Sequence, residues 1–330
     1  MDRNLALEFI RVTEAAAIEA AKWIGRGDKK KADGAAVNAM RSRFNQVDFS
    51  GTVVIGEGEK DEAPMLYTGE KVGTKKGPVM DLAIDPLECT DSVAYGRYNA
   101  TTVIASGPKG SLLHAPDTYM KKIAVGPIGK KAIDLEASVK VNVEKVAKAF
   151  KKKVEDITVV ILDRERHADL IKEVRDVGAR VRLITDGDVA AGIATCFPES
   201  GIDILMGIGG STEAVLAAVP IKILSGEILC QFKPKKDSDI PKIKAAGVKD
   251  INKIFSAEDL AKGKELTFTA TGVIDGPLLN GVIFDKNKII THSIVIRGTS
   301  GTIRYITTHH HYFDKIPRIL KPYPDKIKSF

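Results

Sequence analysis

The N-terminal part of the chain has the spacing of apolar residues that is typical of helices. Between residues 4 and 24, apolar side chains recur at helical spacing, and Glu and Arg occupy the opposite side. This pattern predicts an amphipathic helix, which Gly25 and Gly27 end. A second helix is predicted over residues 35–44.

Short runs of β-branched and apolar residues predict the strands of the N-terminal half. They cover residues 52–56 and 79–84. A hairpin is also predicted, from residues 101–106 to residues 111–113, across a Gly-Pro-Lys-Gly segment.

The pattern changes near residue 155 to an alternation of strands and helices. Strands are predicted at 157–162, 180–184 and 202–206, and helices at 167–177, at 189–196 and from Thr212 onward. Such alternation predicts a parallel sheet with right-handed crossovers. Residues 231–265 are predicted to form loops and short helices. Residues 266–274, 289–297 and 302–308 are predicted as strands that return to this second domain.

Together these patterns predict an α/β fold with two domains, residues 1–155 and residues 156–330. The length of 330 residues and the hydrophobic content of 44% are sufficient for cores of this size. The three cysteines are scattered without a CxxC spacing, which indicates a reducing compartment. Charges throughout residues 1–26 and the lack of a long apolar run predict a soluble, cytoplasmic protein without a membrane span.

The net charge of +7 changes this picture only slightly. The lysine clusters are dispersed and lack interleaved aromatic residues, so they indicate a solvated basic surface and not a nucleic-acid site. A modest positive field also favours the recruitment of a multiply anionic small substrate.

Carboxylates gather where predicted strands and helices end. Asp85 and Glu88 follow a buried strand, with Pro86 between them, and Glu213 opens a predicted helix. Asp33 and an acidic cluster at residues 57–62 follow two other predicted elements. Ligands of open α/β sheets bind at the carboxyl ends of strands. Oxygen-only ligands suit hard cations, so this set predicts Mg²⁺ or Mn²⁺ and not zinc.

A helix that starts near Thr90 would direct its free N–H groups towards Asp85 and Glu88, and a phosphate could bind there. Two cations about 3.5–4 Å apart can hold both the attacking and the departing oxygen of an in-line displacement. The segment 207–213 is glycine-rich but lacks the Rossmann spacing, because Thr212 stands where the third glycine is needed. His309, like its two neighbouring histidines, is interpreted as part of a surface tract.

Polar side chains at other predicted strand ends and loops suit a sugar phosphate. Arg164 and Arg166 fit a phosphate held away from the metals. Asp186 and Asp188 fit sugar hydroxyl groups as hydrogen-bond acceptors. Tyr119 also lies at a predicted strand end or in a loop.

Several motifs resemble one known family. Asp-Pro-Leu-Glu-Cys-Thr at 85–90 resembles the signature of the lithium-sensitive sugar and inositol phosphatases. Segments 25–29, 32–40, 55–59, 61–67, 114–117 and 186–191 resemble class II fructose-1,6-bisphosphatases specifically. The resemblance spans nearly the whole chain and is weakest at 231–265.

The resemblance implies a two-domain, layered α-β-α-β-α sandwich of the sugar-phosphatase type. It also implies that Mn²⁺ or Mg²⁺, in two or more ions, supports hydrolysis of the 1-phosphate of fructose 1,6-bisphosphate in gluconeogenesis. Residues 1–155 would form the metal and phosphate domain, and residues 156–330 a sugar-binding domain that contributes Glu213. The expected assembly is a homodimer or a homotetramer.

The resemblance further implies roles for individual residues. The implied metal ligands are Asp33, Glu57, Asp85, Glu88 and Glu213. The implied substrate ligands are Glu88, Cys89, Thr90, Tyr119, Arg164, Glu165, Arg166, Asp186, Gly187, Asp188 and Gly210. The implied catalytic residues are Thr90, Asp61 and Lys29.

The chain departs from the family pattern near the predicted site. Cys89 replaces the expected Gly, and Ser211, Thr212 and Ala214 replace Ala, Pro and Gly around Glu213. If position 89 requires a positive φ, Cys costs on the order of 1 kcal/mol there. A thiol beside the metals also suggests sensitivity to oxidants or thiophilic metals.

Three hypotheses remain open from the sequence. The first is a fructose-1,6-bisphosphatase. The second is a phosphatase that acts chiefly on sedoheptulose 1,7-bisphosphate or inositol monophosphate. The third is a non-catalytic sugar-phosphate sensor, which Cys89 and the altered surroundings of Glu213 suggest.

Overall fold

The computed structural model describes residues 5–56 and 66–311. This part of the chain forms nine helices, several of them one or two turns long: α1 Leu5–Ala21, α2 Lys29–Phe44, α3 Thr90–Tyr95, α4 Val139–Phe150, α5 Ala168–Asp176, α6 Val189–Ala194, α7 Ser211–Ile223, α8 Asp239–Ala245 and α9 Ala257–Leu260.

The same residues form thirteen strands: β1 Ser50–Ile55, β2 Lys71–Val72, β3 Val79–Glu88, β4 Ala100–Pro108, β5 Tyr119–Val125, β6 Thr158–Leu162, β7 Arg180–Ile184, β8 Ile204–Gly210, β9 Glu227–Phe232, β10 Thr267–Ile274, β11 Ile283–Asp285, β12 Lys288–Arg297 and β13 Thr302–His311. They build two sheets. The first has the order β11-β12-β10-β4-β3-β1-β2, with β13 paired to β12, and the second has the order β7-β6-β8-β5-β9.

The helices and sheets stack in five layers. Helices α1 and α2 cover one face of the first sheet with a core of Phe, Ala and Val side chains. Helices α6 and α7 lie between the two sheets, and α7 contacts strands of both. Helices α4 and α5 cover the outer face of the second sheet. This α-β-α-β-α order is the layered α/β sandwich that the family resemblance implies.

The parallel part of the second sheet follows the predicted alternation. Strands β7, β6 and β8 are parallel, and the antiparallel strands β5 and β9 extend the sheet. Neither β5 nor β9 was predicted, because lysines and glutamate interrupt their apolar patterns. Helix α4 was not predicted either, although its buried residues Val143, Val146 and Ala147 recur at helical spacing.

The C-terminal strands join the other sheet. Residues 266–274, 289–297 and 302–308 do form strands, but β10 pairs with β4 and therefore belongs to the first sheet. The prediction that they return to the second domain is wrong. The two sheets thus exchange segments across residue 155: β5 leaves the N-terminal half and β10–β13 come back to it. Period-2 patterning predicts a strand but does not identify its partner.

Three local predictions also need correction. The hairpin onto residues 111–113 does not form, because Leu112 bridges Ala261 instead. Helix α2 begins at Lys29, earlier than predicted, because the Asp28 side chain caps it by accepting from the Lys31 N–H. Strand β3 continues past Asp85 to Glu88, with a register irregularity around Pro86, which has no N–H to donate.

Within the described residues, no helix is long and apolar enough to cross a membrane.

Candidate active site

Glu88 lies at the end of β3 and is buried, with 2% of its surface exposed. Within the described residues, the donors that hydrogen-bond to its carboxylate are uncharged. The Thr101 hydroxyl donates to Oε2 at 3.1 Å, and the Val189 N–H donates to Oε1 at 2.9 Å. Burial raises the pKa of Glu88 to about 8, and the charges of Asp188 and Glu213 act in the same direction.

Glu213 lies in the first turn of α7, the helix that begins directly after Gly210. Its Oε2 atom is buried and accepts no hydrogen bond from the described residues. The backbone of Gly210 lies so close that a Cβ there would overlap the carboxylate. Burial raises the pKa of Glu213, and Lys122 opposes this shift. A buried, unpartnered carboxylate oxygen is costly unless a ligand completes it.

Asp85 and Asp33 come from neighbouring elements. Asp85 is half-buried on β3, and its Oδ1 accepts from the Leu87 N–H at 3.0 Å. Asp33 lies inside α2, not in a turn, because that helix begins at Lys29. Burial raises the pKa of Asp33. Helix α2 packs on β3 and α3, the elements that carry Asp85 and Thr90.

The donor atoms of these side chains fit a divalent cation. All are carboxylate oxygens, which hard cations prefer, and one of them is the orphaned Oε2 of Glu213. Across residues 5–56 and 66–311, no three His, Cys, Asp or Glu side chains form a preassembled metal cluster. Glu57 and Asp61 lie outside the described residues. The complete ligand set therefore remains a prediction.

Cys89 forms the turn between β3 and α3 with a left-handed backbone, φ 72° and ψ 50°. This confirms the condition under which Cys is strained at this position, where Gly has no steric penalty. The thiol donates to the Asp186 carbonyl at 3.3 Å and accepts from Asn99 Nδ2 at 3.4 Å. Cys89 thus connects the β3–α3 turn to the turn that contains Asp186.

The same burial argues against the predicted reactivity of Cys89. Desolvation raises the pKa of its thiol well above the usual range, and the charges of Glu88, Asp186 and Asp85 add to this shift. The thiolate is the form that reacts with oxidants and soft metals. A thiol kept protonated at neutral pH does not support the hypothesis of oxidant sensitivity.

Helix α3 begins at Thr90, as predicted, but it is only six residues long. The N–H of Asp91 is already occupied, because it donates to Asp186 Oδ2 at 3.2 Å. The prediction of a row of free N–H groups at this end is therefore wrong in part. The Thr90 hydroxyl donates to the Leu87 carbonyl at 3.0 Å, which leaves its lone pairs available as acceptors.

Lys29 lies at the start of α2 and contacts the start of α3. Its ammonium group forms an ion pair with Asp91 and lies 5.4 Å from the centre of the Tyr95 ring. The hydrogen bond to Asp91 raises the pKa of Lys29. The structure therefore places Lys29 beside the Thr90 turn, where the sequence predicted a catalytic helper.

The opposite wall comes from the second sheet. Arg164 donates to the Thr185 carbonyl at 2.6 Å and lies 3.4 Å from Asp186 Oδ1. Glu165 is exposed in the short turn that follows β6. Gly187 has a φ of 54°, and a Cβ there would overlap both Glu88 and Cys89. The Asp186–Asp188 turn therefore packs directly on the β3–α3 turn.

Tyr119 begins β5 and pairs in register with Gly210. The guanidinium of Arg166 lies 4.6 Å from the centre of its ring, and the ammonium of Lys235 lies 4.4 Å from it. Arg166 also donates to the Ile208 carbonyl at 2.9 Å. The sequence predicted Tyr119 and Arg166 but missed Lys235. Arg166 and Lys235, on the ring of Tyr119, form a cationic wall that suits a phosphate.

Lys122 is a second residue that the sequence interpretation missed. It is buried on β5, and its ammonium group contacts both carboxylate oxygens of Asp188, at 2.8 and 2.9 Å. Asp188 is therefore neutralised, although it was predicted only as a sugar acceptor. A lysine inside an otherwise apolar strand pattern is the signal that could have identified it, because buried lysines are rare unless paired.

Comparisons with known proteins identify the family of the chain. Residues 3–310 match the model of the family described as bacterial fructose-1,6-bisphosphatase, glpX-encoded. The chain is 46% identical to fructose-1,6-bisphosphatase 1 class 2 of Escherichia coli K12, over 97% of this chain and 98% of that protein. The class 2 enzyme of Shigella flexneri matches with the same identity and coverage. This chain belongs to the class 2 fructose-1,6-bisphosphatase family.

Proposed function

We propose that this protein hydrolyses the 1-phosphate of fructose 1,6-bisphosphate to fructose 6-phosphate and phosphate, a step of gluconeogenesis. The observation that carries the proposal is the match to class 2 fructose-1,6-bisphosphatases over nearly the full length of both chains. The arrangement of buried carboxylates opposite a cationic wall supports it.

Divalent cations, Mn²⁺ or Mg²⁺, complete the proposed site. Asp33, Glu57, Asp85, Glu88 and Glu213 would hold them. When bound, such cations neutralise the phosphate and lower the pKa of a coordinated water. The buried, unpartnered Oε2 of Glu213 and the raised pKa of Glu88 support this assignment, because a bound cation would satisfy the first and balance the charge of the second.

The residues of the chain position the reaction. The Thr90 hydroxyl donates to the Leu87 carbonyl, so its lone pairs can accept a hydrogen bond from the attacking water and orient it for in-line attack. Lys29, held by Asp91, adds positive charge beside the phosphate. Asp61 is proposed as a further helper, on the basis of the family resemblance alone.

The second sheet would hold the sugar and the distal phosphate. Arg166 and Lys235 stack on Tyr119 and would bind the phosphate that is not cleaved. Arg164, Asp186, Gly187, Asp188 and Gly210 would contact the sugar, together with the exposed Glu165. This assigns the sugar to the C-terminal part of the chain and the metals mainly to residues 1–155, with Glu213 as the exception.

Phosphate release from fructose 1,6-bisphosphate, with and without Mn²⁺ or Mg²⁺, tests the proposal. We expect activity that a chelator abolishes and that Asp85→Asn lowers by roughly 10³-fold or more, since the amide removes a ligand charge. Asp285→Asn, an exposed acid on β11, is the matched control and should keep activity. Activity that survives both chelation and Asp85→Asn would disprove the mechanism.

A different substrate is the second candidate. The cationic wall at Tyr119 favours a bisphosphate, so sedoheptulose 1,7-bisphosphate should compete better than inositol monophosphate. Arg166→Met should raise KM for bisphosphates and leave a monophosphate substrate nearly unaffected. Equal effects on both classes would remove Arg166 from the distal phosphate site. Tight sugar-phosphate binding without turnover under saturating metal would instead support the non-catalytic sensor.

Two finer assignments remain proposals. Membership of the lithium-sensitive superfamily implies that Li⁺ inhibits the enzyme, which a titration at fixed Mg²⁺ would test. A cytoplasmic location is supported by the three free cysteines, Cys89, Cys196 and Cys230.

A further inference from the structure

The side chain of His167 joins the ends of two neighbouring strands. Strands β6 and β8 are parallel and paired, but β6 ends at Leu162 whereas β8 continues to Gly210. Beyond the paired part, the imidazole ring bridges the two strands. Its Nδ1 atom contacts the Leu162 carbonyl oxygen at 2.8 Å, and its Nε2 atom contacts the Ile208 nitrogen at 2.8 Å.

These two partners define the protonation of the ring. A backbone N–H only donates, so Nε2 is the acceptor, and a carbonyl oxygen only accepts, so Nδ1 carries the proton. His167 is 1% exposed, and burial lowers its pKa, which favours this neutral form. Both ring nitrogens are therefore bonded to the backbone, and neither is left to contact a substrate.

Arg166 contacts the same residue of β8. Its Nε and Nη2 atoms donate to the Ile208 carbonyl at 3.2 and 2.9 Å, and its guanidinium lies 4.6 Å from the centre of the Tyr119 ring. Two consecutive side chains thus bind both backbone groups of Ile208. The position of that one residue links the buried imidazole to the guanidinium of the cationic wall.

Packing alone does not fix this end of β8. A cavity of about 330 Å³ lies beside the imidazole, and His167, Leu170 and Met206 are among the residues that line it. Gly207, directly before Ile208, has a φ of 149°, which residues with a Cβ rarely adopt. With free space on one side and a permissive glycine in the chain, hydrogen bonds must determine where Ile208 lies.

The position of His167 in the sheet also connects it with ligand binding. Helix α5, which follows β6, covers the outer face of the second sheet, whereas α6, which precedes β8, lies between the two sheets. Neighbouring strands whose connections lie on opposite faces leave a crevice at their carboxyl ends, where ligands of α/β sheets bind. His167 bridges β6 and β8 at this crevice.

We propose that His167 is a positioning residue for the phosphate that is not cleaved, a role that rests on the proposed function. By binding Ile208, His167 fixes the carbonyl that orients Arg166, and it thereby favours bisphosphate substrates. His167 does not touch the substrate and acts through Arg166. The direction of the guanidinium matters because its donors form a rigid fork that binds phosphate in a defined geometry.

Steady-state kinetics of matched variants provide the first test. His167→Phe keeps a flat ring without either hydrogen bond, so KM for fructose 1,6-bisphosphate should rise on the order of tenfold, with kcat unchanged. Fructose 1-phosphate lacks the distal phosphate and should keep its KM. His167→Gln should restore the wild-type KM, because its amide can accept from the Ile208 N–H and donate to the Leu162 carbonyl.

The control is Leu170→Ala, which enlarges the same cavity and should not change KM. If His167→Phe does not fold, His167→Asn replaces it, because its shorter amide matches the Nδ1 position and not the Nε2 position. It should show the same rise in KM. An unchanged KM, equal rises for both substrates, or an equal rise in Leu170→Ala overturns the proposal.

A double-mutant cycle with Arg166 provides the second test. Arg166→Met/His167→Phe should bind fructose 6-phosphate, which carries the distal phosphate, no more weakly than Arg166→Met alone. Calorimetry measures this binding without turnover, so it decides the role of His167 even if the wild type hydrolyses nothing. Additive losses in the double variant, or a wild type that does not bind fructose 6-phosphate, overturn that role.

Discussion

Glu88 and Asp188 are two buried acids of one site, and the fold treats them differently. Asp188 has a full counter-charge in Lys122, which contacts both of its oxygens. Glu88 has only a hydroxyl and a backbone N–H, and its pKa rises to about 8. The first arrangement is complete without a ligand and suits neutral sugar hydroxyls. The second lacks positive charge and suits a cation. The contrast distinguishes the proposed metal side of the site from the proposed sugar side.

The largest expected effect comes from removing the counter-charge of Asp188. Lys122→Met leaves a buried carboxylate unpaired, and we expect it to lower the free energy of unfolding by about 3–5 kcal/mol. Urea denaturation of the metal-free protein would measure this loss. The double variant Lys122→Met/Asp188→Asn should regain most of it, because no charge is then left unbalanced. A double variant no more stable than Lys122→Met would show that the ion pair is not the cause.

The second prediction concerns the pH dependence that Glu88 imposes. Its pKa is raised from 4.5 to about 8 in the folded protein, so its contribution to stability is greatest below pH 4.5 and is lost as pH rises towards 8. Without metal, the free energy of unfolding of Glu88→Gln, measured by thermal or urea denaturation, should therefore increase relative to the wild type as pH rises through this range, by up to a few kcal/mol.

The same proton competes with the cation. We expect Mn²⁺ affinity to rise by up to about tenfold per pH unit and to level off above pH 8, because binding must displace the proton of Glu88. Calorimetric titrations from pH 6 to 9 would measure this slope, and Glu88→Gln should flatten it. A wild-type Mn²⁺ affinity that does not change with pH would show that no proton on Glu88 competes with the cation.

The smallest effect is expected at Cys89, in the turn that joins the two sides. Its φ of 72° strains any residue with a Cβ, so Cys89→Gly should be more stable than Cys89→Ala by about 1 kcal/mol. Both variants remove the thiol, and their difference isolates the backbone strain. Equal stabilities would mean that the turn relaxes, and that the Cys at this position costs the fold little.

Local signals in the sequence predicted most of the elements but not their partners. Helix α1 and strand β3 carry clear periodicities, and the positive φ that the sequence analysis considered for Cys89 is present. Strand β10 was identified as a strand and given to the wrong sheet, because residues alternating in polarity can pair with any edge of matching length. Strand β5 was missed because its two lysines hide its pattern.

The predicted site residues divide in the same way. Glu88, Cys89, Asp186 and Gly187 meet in the structure, as motifs at strand ends suggest. Glu57 and Asp61 lie outside the described residues and stay predictions. Lys122 and Lys235 were not predicted, since a lone lysine carries no spacing signal and acquires a role only through the side chain it meets.

The sequence by itself determined the family, the layered α/β class and the carboxylates that can meet a cation, because these depend on residue identity and short-range order. Only the tertiary structure decided how charge is balanced among them. Burial and the nearest partner set whether a carboxylate is satisfied, and both are properties of residues far apart in the chain, such as Glu88 beside Val189 and Lys122 beside Asp188.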